Sequence, residues 1–313
     1  MREKILICTS RFAESDPEPL RLLENQNYDI VLNPYQRTLT EEEVICLGNA
    51  CSGLISGSEP LTGRVLESLP ALRCISRVGV GLDNIDLSAA EKQGIRVCNT
   101  PDAPTRAVAE LTVGLMFDLL RGISLHDREV RNGIWNKKLG YQIHDRKVGI
   151  IGLGRIGRTV AELLTGLGAC VMGYDLYPNR AWAERYGVEL TDFPDILRKS
   201  DIVTIHIPFS KKNATLVGEA EIRTMKKGAF LLNLSRGGIV DEPALCQALK
   251  DHHLAGAAVD TFTTEPYHGP LAELDTLILT PHMGSATRES RIAMELEAAK
   301  NLIGVLNDSK DTL

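Results

Sequence analysis

Short apolar runs alternate with amphipathic stretches along most of the chain. Among the first hundred residues, Ile5–Cys8, Asp29–Leu32, Gly53–Ser56, Cys74–Val78 and Ile95–Cys98 have the length and composition of strands. Between them, Glu18–Asn25, Glu41–Asn49, Gly63–Ser68 and Leu87–Gln93 read as helices. This alternation predicts a parallel sheet covered on both faces, because each helix carries the chain back across the sheet. Pro101 and Pro104 break the pattern, and a long amphipathic helix follows over Thr105–Arg121, with Val108, Leu111, Leu115, Leu119 and Leu120 on its apolar side. A second series then begins, with strands at Val148–Ile151, Cys170–Tyr174, Ile202–Ile207, Ala229–Leu234, Gly256–Asp260 and Leu277–Thr280. Six strands suit a doubly wound sheet. A final amphipathic helix, Ser285–Leu306, has no further strand to feed, so it can return to the first domain and make that domain discontinuous. The stretch Gly133–Gln142 reads as a loop or arm whose aromatics, Trp135 and Tyr141, suggest a subunit contact.

The second series opens on K-V-G-I-I-G-L-G-R-I-G, Lys147–Gly157. A buried strand leads into Gly152, Gly154 and Gly157 at the G-x-G-x-x-G spacing, and apolar residues at helical intervals follow. Gly152 permits the tight turn, Gly154 lets a pyrophosphate approach the backbone, and Gly157 lets the helix pack closely on the strand. The free N–H groups at the helix start attract phosphate. The next strand ends at Asp175, roughly 20 residues beyond Gly152, where an acid accepts hydrogen bonds from a ribose. A carboxylate there repels a 2′-phosphate, so the pattern predicts NAD as cofactor; Arg180 is the basic residue nearby that weighs the other way. The fold class predicted is α/β, two doubly wound parallel-sheet domains, the second of Rossmann type.

Composition narrows the partners. The chain of 313 residues is 43% hydrophobic and 24% charged, ordinary values for a soluble globular protein. A net charge of −6 with no basic block argues against nucleic acid, which needs clustered Lys and Arg. Seven scattered cysteines without a C-x-x-C form neither a disulfide framework nor a metal site, so no metal is expected and a reducing, cytoplasmic setting is. No signal peptide or membrane span is read, and no membrane partner is expected.

Ligands of open α/β sheets gather beyond the carboxyl ends of the strands. Three reactive side chains follow strands of the second series: Arg236 in N-L-S-R-G-G, Glu265 in D-T-F-T-T-E-P and His282 in T-P-H-M-G-S. A hydride leaving or entering a carbon needs a proton moved on the attached oxygen, and histidine suits that near neutral pH. A carboxylate bonded to the imidazole fixes its tautomer and favours its protonated form. An arginine clamps a carboxylate and polarises a neighbouring carbonyl. Together these groups beside NAD read as a dehydrogenase acting on a small 2-hydroxy or 2-keto acid.

These motifs, with G-S-E-P-L-T from Gly57, S-R-V-G-V-G-L-D-N-I-D from Ser76 and A-V-A-E-L-T from Ala107, make the chain resemble the D-isomer-specific 2-hydroxyacid dehydrogenases almost end to end, most closely the phosphoglycerate-dehydrogenase-like branch. The resemblance implies a Rossmann-type cofactor domain, residues 99–285, inserted in a flavodoxin-like substrate domain, residues 1–98 and 286–313. It implies that His282 is the acid/base, Glu265 its partner and Arg236 the ligand of carboxylate and carbonyl. With Arg236, the turn Val78-Gly79-Val80-Gly81 and Arg77 would bind substrate. Asp260 would bond the nicotinamide amide, and Arg155, Ile156, Thr105, His206, Pro208 and Ser235 join the cofactor set. A homodimer and hydride transfer in a cleft between the domains are also implied. Two positions depart from the family. The loop Ser56-Gly57-Ser58-Glu59 carries an acid where phosphoglycerate enzymes usually place a basic residue, leaving Arg77 as the family's one retained cation and phosphate recognition in doubt. Asp102-Ala103-Pro104 replaces a Gly-containing turn. The short tail after the last helix leads us to expect no serine-sensing regulatory domain. Glyoxylate or hydroxypyruvate reduction on the same machinery, or an NAD(H)-sensing corepressor-like binding role, are the alternatives.

Overall fold

In the computed structural model, which describes residues 2–210 and 212–308, the chain divides into two compact units. One unit comprises residues up to Pro104 together with those from Ser285 on, and the other is Thr105–Gly284. Residues 309–313, placed with the substrate domain by the sequence, lie outside the described residues.

The first unit runs β1 (Lys4–Ile7), α1 (Glu18–Glu24), β2 (Asp29–Leu32), α2 (Glu41–Gly48), β3 (Cys51–Ser56), α3 (Gly63–Glu67), β4 (Cys74–Arg77), α4 (Leu87–Lys92) and β5 (Arg96–Cys98). Its five strands are parallel in the order β2-β1-β3-β4-β5. Local chemistry sets the element ends: Thr40 and Glu43 form a reciprocal capping box that starts α2. β3 is buried on both faces, as a central parallel strand must be, and it begins two residues earlier than the pattern suggested. The C-terminal helix, Arg288–Asp308, packs on one face of this sheet, with Leu302 and Leu306 against Gly53. A Cβ at Gly53 would lie 2.9 Å from the Leu302 side chain, so glycine is what lets the helix sit that close.

The second unit runs α5 (Thr105–Arg121), α6 (Ile123–Arg131), β6 (Lys147–Ile151), α7 (Arg155–Gly166), β7 (Cys170–Tyr174), α8 (Arg180–Arg185), β8 (Glu189–Leu190), α9 (Phe193–Lys199), β9 (Ile202–Ile205), α10 (Glu219–Thr224), β10 (Ala229–Asn233), α11 (Glu242–Lys250), β11 (Leu254–Val259) and β12 (Leu277–Leu279). The parallel sheet has seven strands, ordered β12-β11-β10-β9-β6-β7-β8. The sequence pattern gave six; the seventh is the two-residue edge strand β8, paired to β7 through Met172–Glu189 and Gly173–Leu190. After β8 the chain returns to the other side of β6, so the strand order reverses between β6 and β9. Loops diverge at such a switch point and leave a crevice at the carboxyl ends. Two apolar clusters cover the sheet faces. One is built from Ile151, Ile205, Leu231 and Leu245, the other from Ile150, Leu164, Leu232 and Met116.

Candidate active site

The glycine turn occupies the switch point. Gly152 has φ +96°, and a Cβ there would lie 2.4 Å from the His206 carbonyl oxygen, so both conformation and space require glycine. A Cβ at Gly157 would lie 1.9 Å from the Gly152 carbonyl oxygen; its absence lets α7 sit against the turn. Gly154 differs, because a Cβ there would meet nothing within 4 Å. It caps α7 without any side-chain hydrogen bond, leaving the first-turn N–H groups for a ligand. The open space at Gly154 and these donors fit a pyrophosphate. Arg155 and Ile156 form the first turn.

Asp175 follows β7 and is fixed from two sides. Its Oδ2 accepts from Leu153 N–H and its Oδ1 from Tyr177 N–H, both at 2.8 Å. The acid is thereby tied to the glycine turn, with remaining lone pairs for a ribose. His206 and Pro208 follow β9. The His206 Nε2 meets Thr204 Oγ1 at 2.9 Å, while its Nδ1 is buried without a protein partner. Burial pushes this imidazole down to about 3, so it is neutral near pH 7. Thr105 opens α5.

A chain of contacts joins the three reactive residues. Beyond β10, Asn233 Oδ1 accepts from Ser235 N–H and Oγ, and its Nδ2 donates to the Arg236 carbonyl at 2.9 Å. Arg236 Nη1 donates to the Ser235 carbonyl at 2.7 Å. The next residue explains the glycine pair: a Cβ at Gly237 would lie 2.0 Å from the Phe262 backbone, so the Arg236 loop closes onto the 262–265 loop. Glu265 Oε1 accepts from Phe262 N–H, and its Oε2 meets His282 Nδ1, each at 2.9 Å. Both side chains stay accessible, at 48% exposure for His282 and 38% for Glu265.

Asp260 does work that the sequence did not reveal. It is 1% exposed, and its oxygens accept from Thr280 Oγ1 at 2.6 Å, Met283 N–H at 2.8 Å and Gly284 N–H at 2.9 Å. Asp260 therefore holds the loop that carries His282, whose own φ is +50°. Three of roughly four carboxylate lone pairs are occupied, which leaves one acceptor site for another group.

In the first unit, the turn after β4 leaves backbone donors open. Gly79 has φ +134°, and its N–H donates to Thr100 Oγ1 at 2.8 Å. Asn99 Nδ2 holds the Val80 carbonyl at 2.7 Å. The N–H groups of Val80 and Gly81 have no acceptor among the described residues. Val78 N–H donates to Ser56 O. The Arg77 guanidinium folds back onto the Val78 carbonyl and fills the space a Gly79 Cβ would need. Glu59 turns inward rather than presenting an exposed negative charge. It is 1% exposed, both its oxygens accept from Gly57 N–H at 3.0 Å, and burial pushes its carboxyl up. The loop still lacks a basic residue, and its acid closes the turn. Among the described residues, no group of three or more acids, histidines or cysteines could hold a metal ion.

A parallel sheet with a phosphate-ready glycine turn, an acid on the ribose side and a paired histidine defines a nucleotide-dependent oxidoreductase fold. Comparison with known proteins agrees: the profile of the D-isomer specific 2-hydroxyacid dehydrogenase NAD binding domain matches residues 113–284. A glyoxylate reductase of Thermofilum pendens is 40% identical over 260 residues, 80% of this chain and 76% of that one. A D-3-phosphoglycerate dehydrogenase of Methanocaldococcus jannaschii is 38% identical over 273 residues, 86% of this chain. The chain spans about half the length of that relative, 52%. A crystal structure of a putative D-isomer specific 2-hydroxyacid dehydrogenase from Polaromonas superposes with a TM-score of 0.89 at 33% identity, covering 99% of this chain and 98% of that one. The chain belongs to the D-isomer specific 2-hydroxyacid dehydrogenase family.

Proposed function

We propose that the protein interconverts a D-2-hydroxy acid and its 2-oxo acid with NAD. The observation that carries this is the His282–Glu265 pair, joined through the Phe262 loop to Arg236 and pinned by Asp260, at the carboxyl ends of the sheet that bears the glycine turn. When bound along Gly152–Gly157 with Asp175 on its ribose, NAD supplies the hydride chemistry. The residues act at the oxygen and the carboxylate. Glu265 accepts the Nδ1–H of His282, which leaves Nε2 to give a proton to the oxo oxygen or take it from the hydroxyl. Arg236 clamps the substrate carboxylate and polarises the carbonyl. The Val78–Gly81 turn is assigned to the same carboxylate by the resemblance and by its two open N–H donors. Asp260 keeps its family role toward the nicotinamide amide through its remaining lone pair, and Ser235, Thr105, His206 and Pro208 remain in the cofactor set.

We assign the chain to the cytoplasm, as a homodimer that engages neither membrane nor nucleic acid. All seven cysteines are free, and no helix among the described residues is long and apolar enough to cross a membrane. Ile123 and Val130 on α6 and Ile134, Trp135 and Leu139 on the arm are exposed apolar residues in one stretch of chain, which supports a subunit contact there.

A panel of 2-oxo acids followed by NADH absorbance tests the activity, with NADPH as the control for Asp175. Glyoxylate, hydroxypyruvate and phosphohydroxypyruvate are its first members, since relatives are named for both reductase and phosphoglycerate chemistry. The expected result is oxidation of NADH, with NADPH at least about tenfold poorer. His282→Ala should bind NADH and lose most of kcat; near-normal turnover by that variant would remove His282 from the reaction.

A further inference from the structure

The loop after β1 carries a feature that the reaction above leaves unused. Two non-glycine residues in it, Arg11 at φ 61° and Ala13 at φ 60°, hold left-handed backbone. Such conformations persist where surrounding structure over-determines them, and they cluster at ligand sites. Here three bonds from the C-terminal helix strap the loop down. Ala13 N–H donates to the buried Glu295 carboxylate at 2.9 Å, Arg291 Nη2 to the Ser10 carbonyl at 3.0 Å, and Arg288 Nη2 to the Ser15 carbonyl at 3.4 Å. Glu295 is itself ion-paired with Arg291. Phe12 packs into the apolar cluster that contains Val78. Between these anchors, the exposed Arg11 guanidinium has no hydrogen bond or ion pair among the described residues.

The loop lies at the rim that holds the anion-binding turn. β1, β3 and β4 are parallel neighbours, so their carboxyl ends share one edge. Cys8 N–H donates to Ile55 O, and Val78 N–H to Ser56 O, both at 2.9 Å. A Cβ at Gly57 would lie 3.0 Å from the Thr9 methyl. Two buried hydroxyls at these strand ends, Thr9 Oγ1 and Ser56 Oγ, have no protein partner. Buried polar atoms without partners usually meet water or a ligand.

We propose that Arg11 reads a second anionic group on the substrate, a carboxylate, sulfonate or phosphate beyond the 2-oxo acid. This rests on the proposed 2-oxo-acid activity. The turn after β4 takes the first carboxylate through its open N–H groups, and Arg11, carried on the strapped loop at the same rim, takes the second. The guanidinium offers a two-pronged contact that matches a carboxylate, sulfonate or phosphate. The loop after β3, which lacks a basic residue, is then not where the second charge is read.

The test compares matched substrates under NADH: oxaloacetate against 2-oxobutanoate, 2-oxoglutarate against 2-oxopentanoate, and phosphohydroxypyruvate against hydroxypyruvate. In the unaltered protein, one dianion should exceed its partner at least about tenfold in kcat/KM, the scale of one charge-assisted contact. Which pair shows it identifies the anion. Arg11→Gly, which suits the left-handed backbone, should collapse that ratio at least about tenfold, mainly through KM, and Arg11→Lys should restore part of it. The inference falls if the unaltered protein prefers every monoanion, or if Arg11→Gly lowers both members of a pair alike. Should the protein bind NADH yet reduce none of the six acids, the proposed activity itself fails, and this inference with it.

Discussion

Single carboxylates and imidazoles set the behaviour of the site. Asp260 accepts two backbone N–H groups and one hydroxyl from the loop around His282. Asp260→Ala would leave the Met283 and Gly284 donors unpaired in a buried place, at a cost of about 2–4 kcal/mol. The expected outcome is a lower melting temperature together with a lower kcat, since His282 loses its fixed seat. Glu265→Gln keeps the size but replaces the carboxylate that meets His282 Nδ1, so kcat should fall about 10- to 100-fold with KM little altered. His206 makes a prediction about pH. In the folded chain its imidazole sits at about 3, against a usual value near 6.5, so the unfolded chain binds the extra proton between those limits. Stability therefore falls as pH drops from 6.5 towards 3, by at most about 1.4 kcal/mol per pH unit from this group. Denaturant unfolding at pH 7.5 and 5 should show a shallower loss for His206→Asn than for the unaltered protein. The types of these residues were legible in the sequence, and the family resemblance paired Glu265 with His282, but the partners of Asp260 were not legible. Asp260 meets Thr280 because β11 and β12 are neighbours in the sheet, which no local spacing announces.

At the scale of elements, the two glycines of the turn separate fold from binding. Gly157→Ala places a methyl on the Gly152 carbonyl, so α7 must shift off β6, costing about 1–3 kcal/mol and weakening NADH binding. Gly154→Ala projects into open space, so the melting temperature should hold while NADH affinity falls. A thermal melt and a fluorescence titration on each variant distinguish the two. Most strands were visible from their apolar runs, and their ends moved by a residue or two, as hydrogen bonding rather than composition sets them. α6 was missed although it is amphipathic: its few apolar residues, Ile123 and Val130 among them, are exposed, and no residue of it is buried. β8 was missed because two residues cannot show an alternation. The inward turn of Glu59 was also hidden: an acid reads as exposed until the Gly57 N–H that receives it is seen.

For the whole molecule, the exposed apolar residues of the arm and α6 carry the proposed subunit contact. Trp135 is 82% exposed, and Leu139 and Ile134 beside it are also open. Light scattering should give a dimer mass for the unaltered protein and a monomer for Trp135→Ser combined with Leu139→Asp. A dimer that survives this pair of changes would move the contact elsewhere. The strand and helix alternation exposed both sheets to sequence reading, whereas surface apolar residues look the same whether a partner or water covers them. The return of the C-terminal helix to the first sheet has a consequence during synthesis. Leu302 and Leu306 fill the space over Gly53, so β3 lacks its covering until residues 288–308 have been made and are free to fold. The second unit is complete by Gly284 and can reach its native form while the first is still waiting. Released chains truncated after residue 284 should thus protect Val148–Leu279 from protease and leave Ile5–Cys98 open to cleavage, and chaperones would have the amino-terminal sheet, not the nucleotide sheet, to shield.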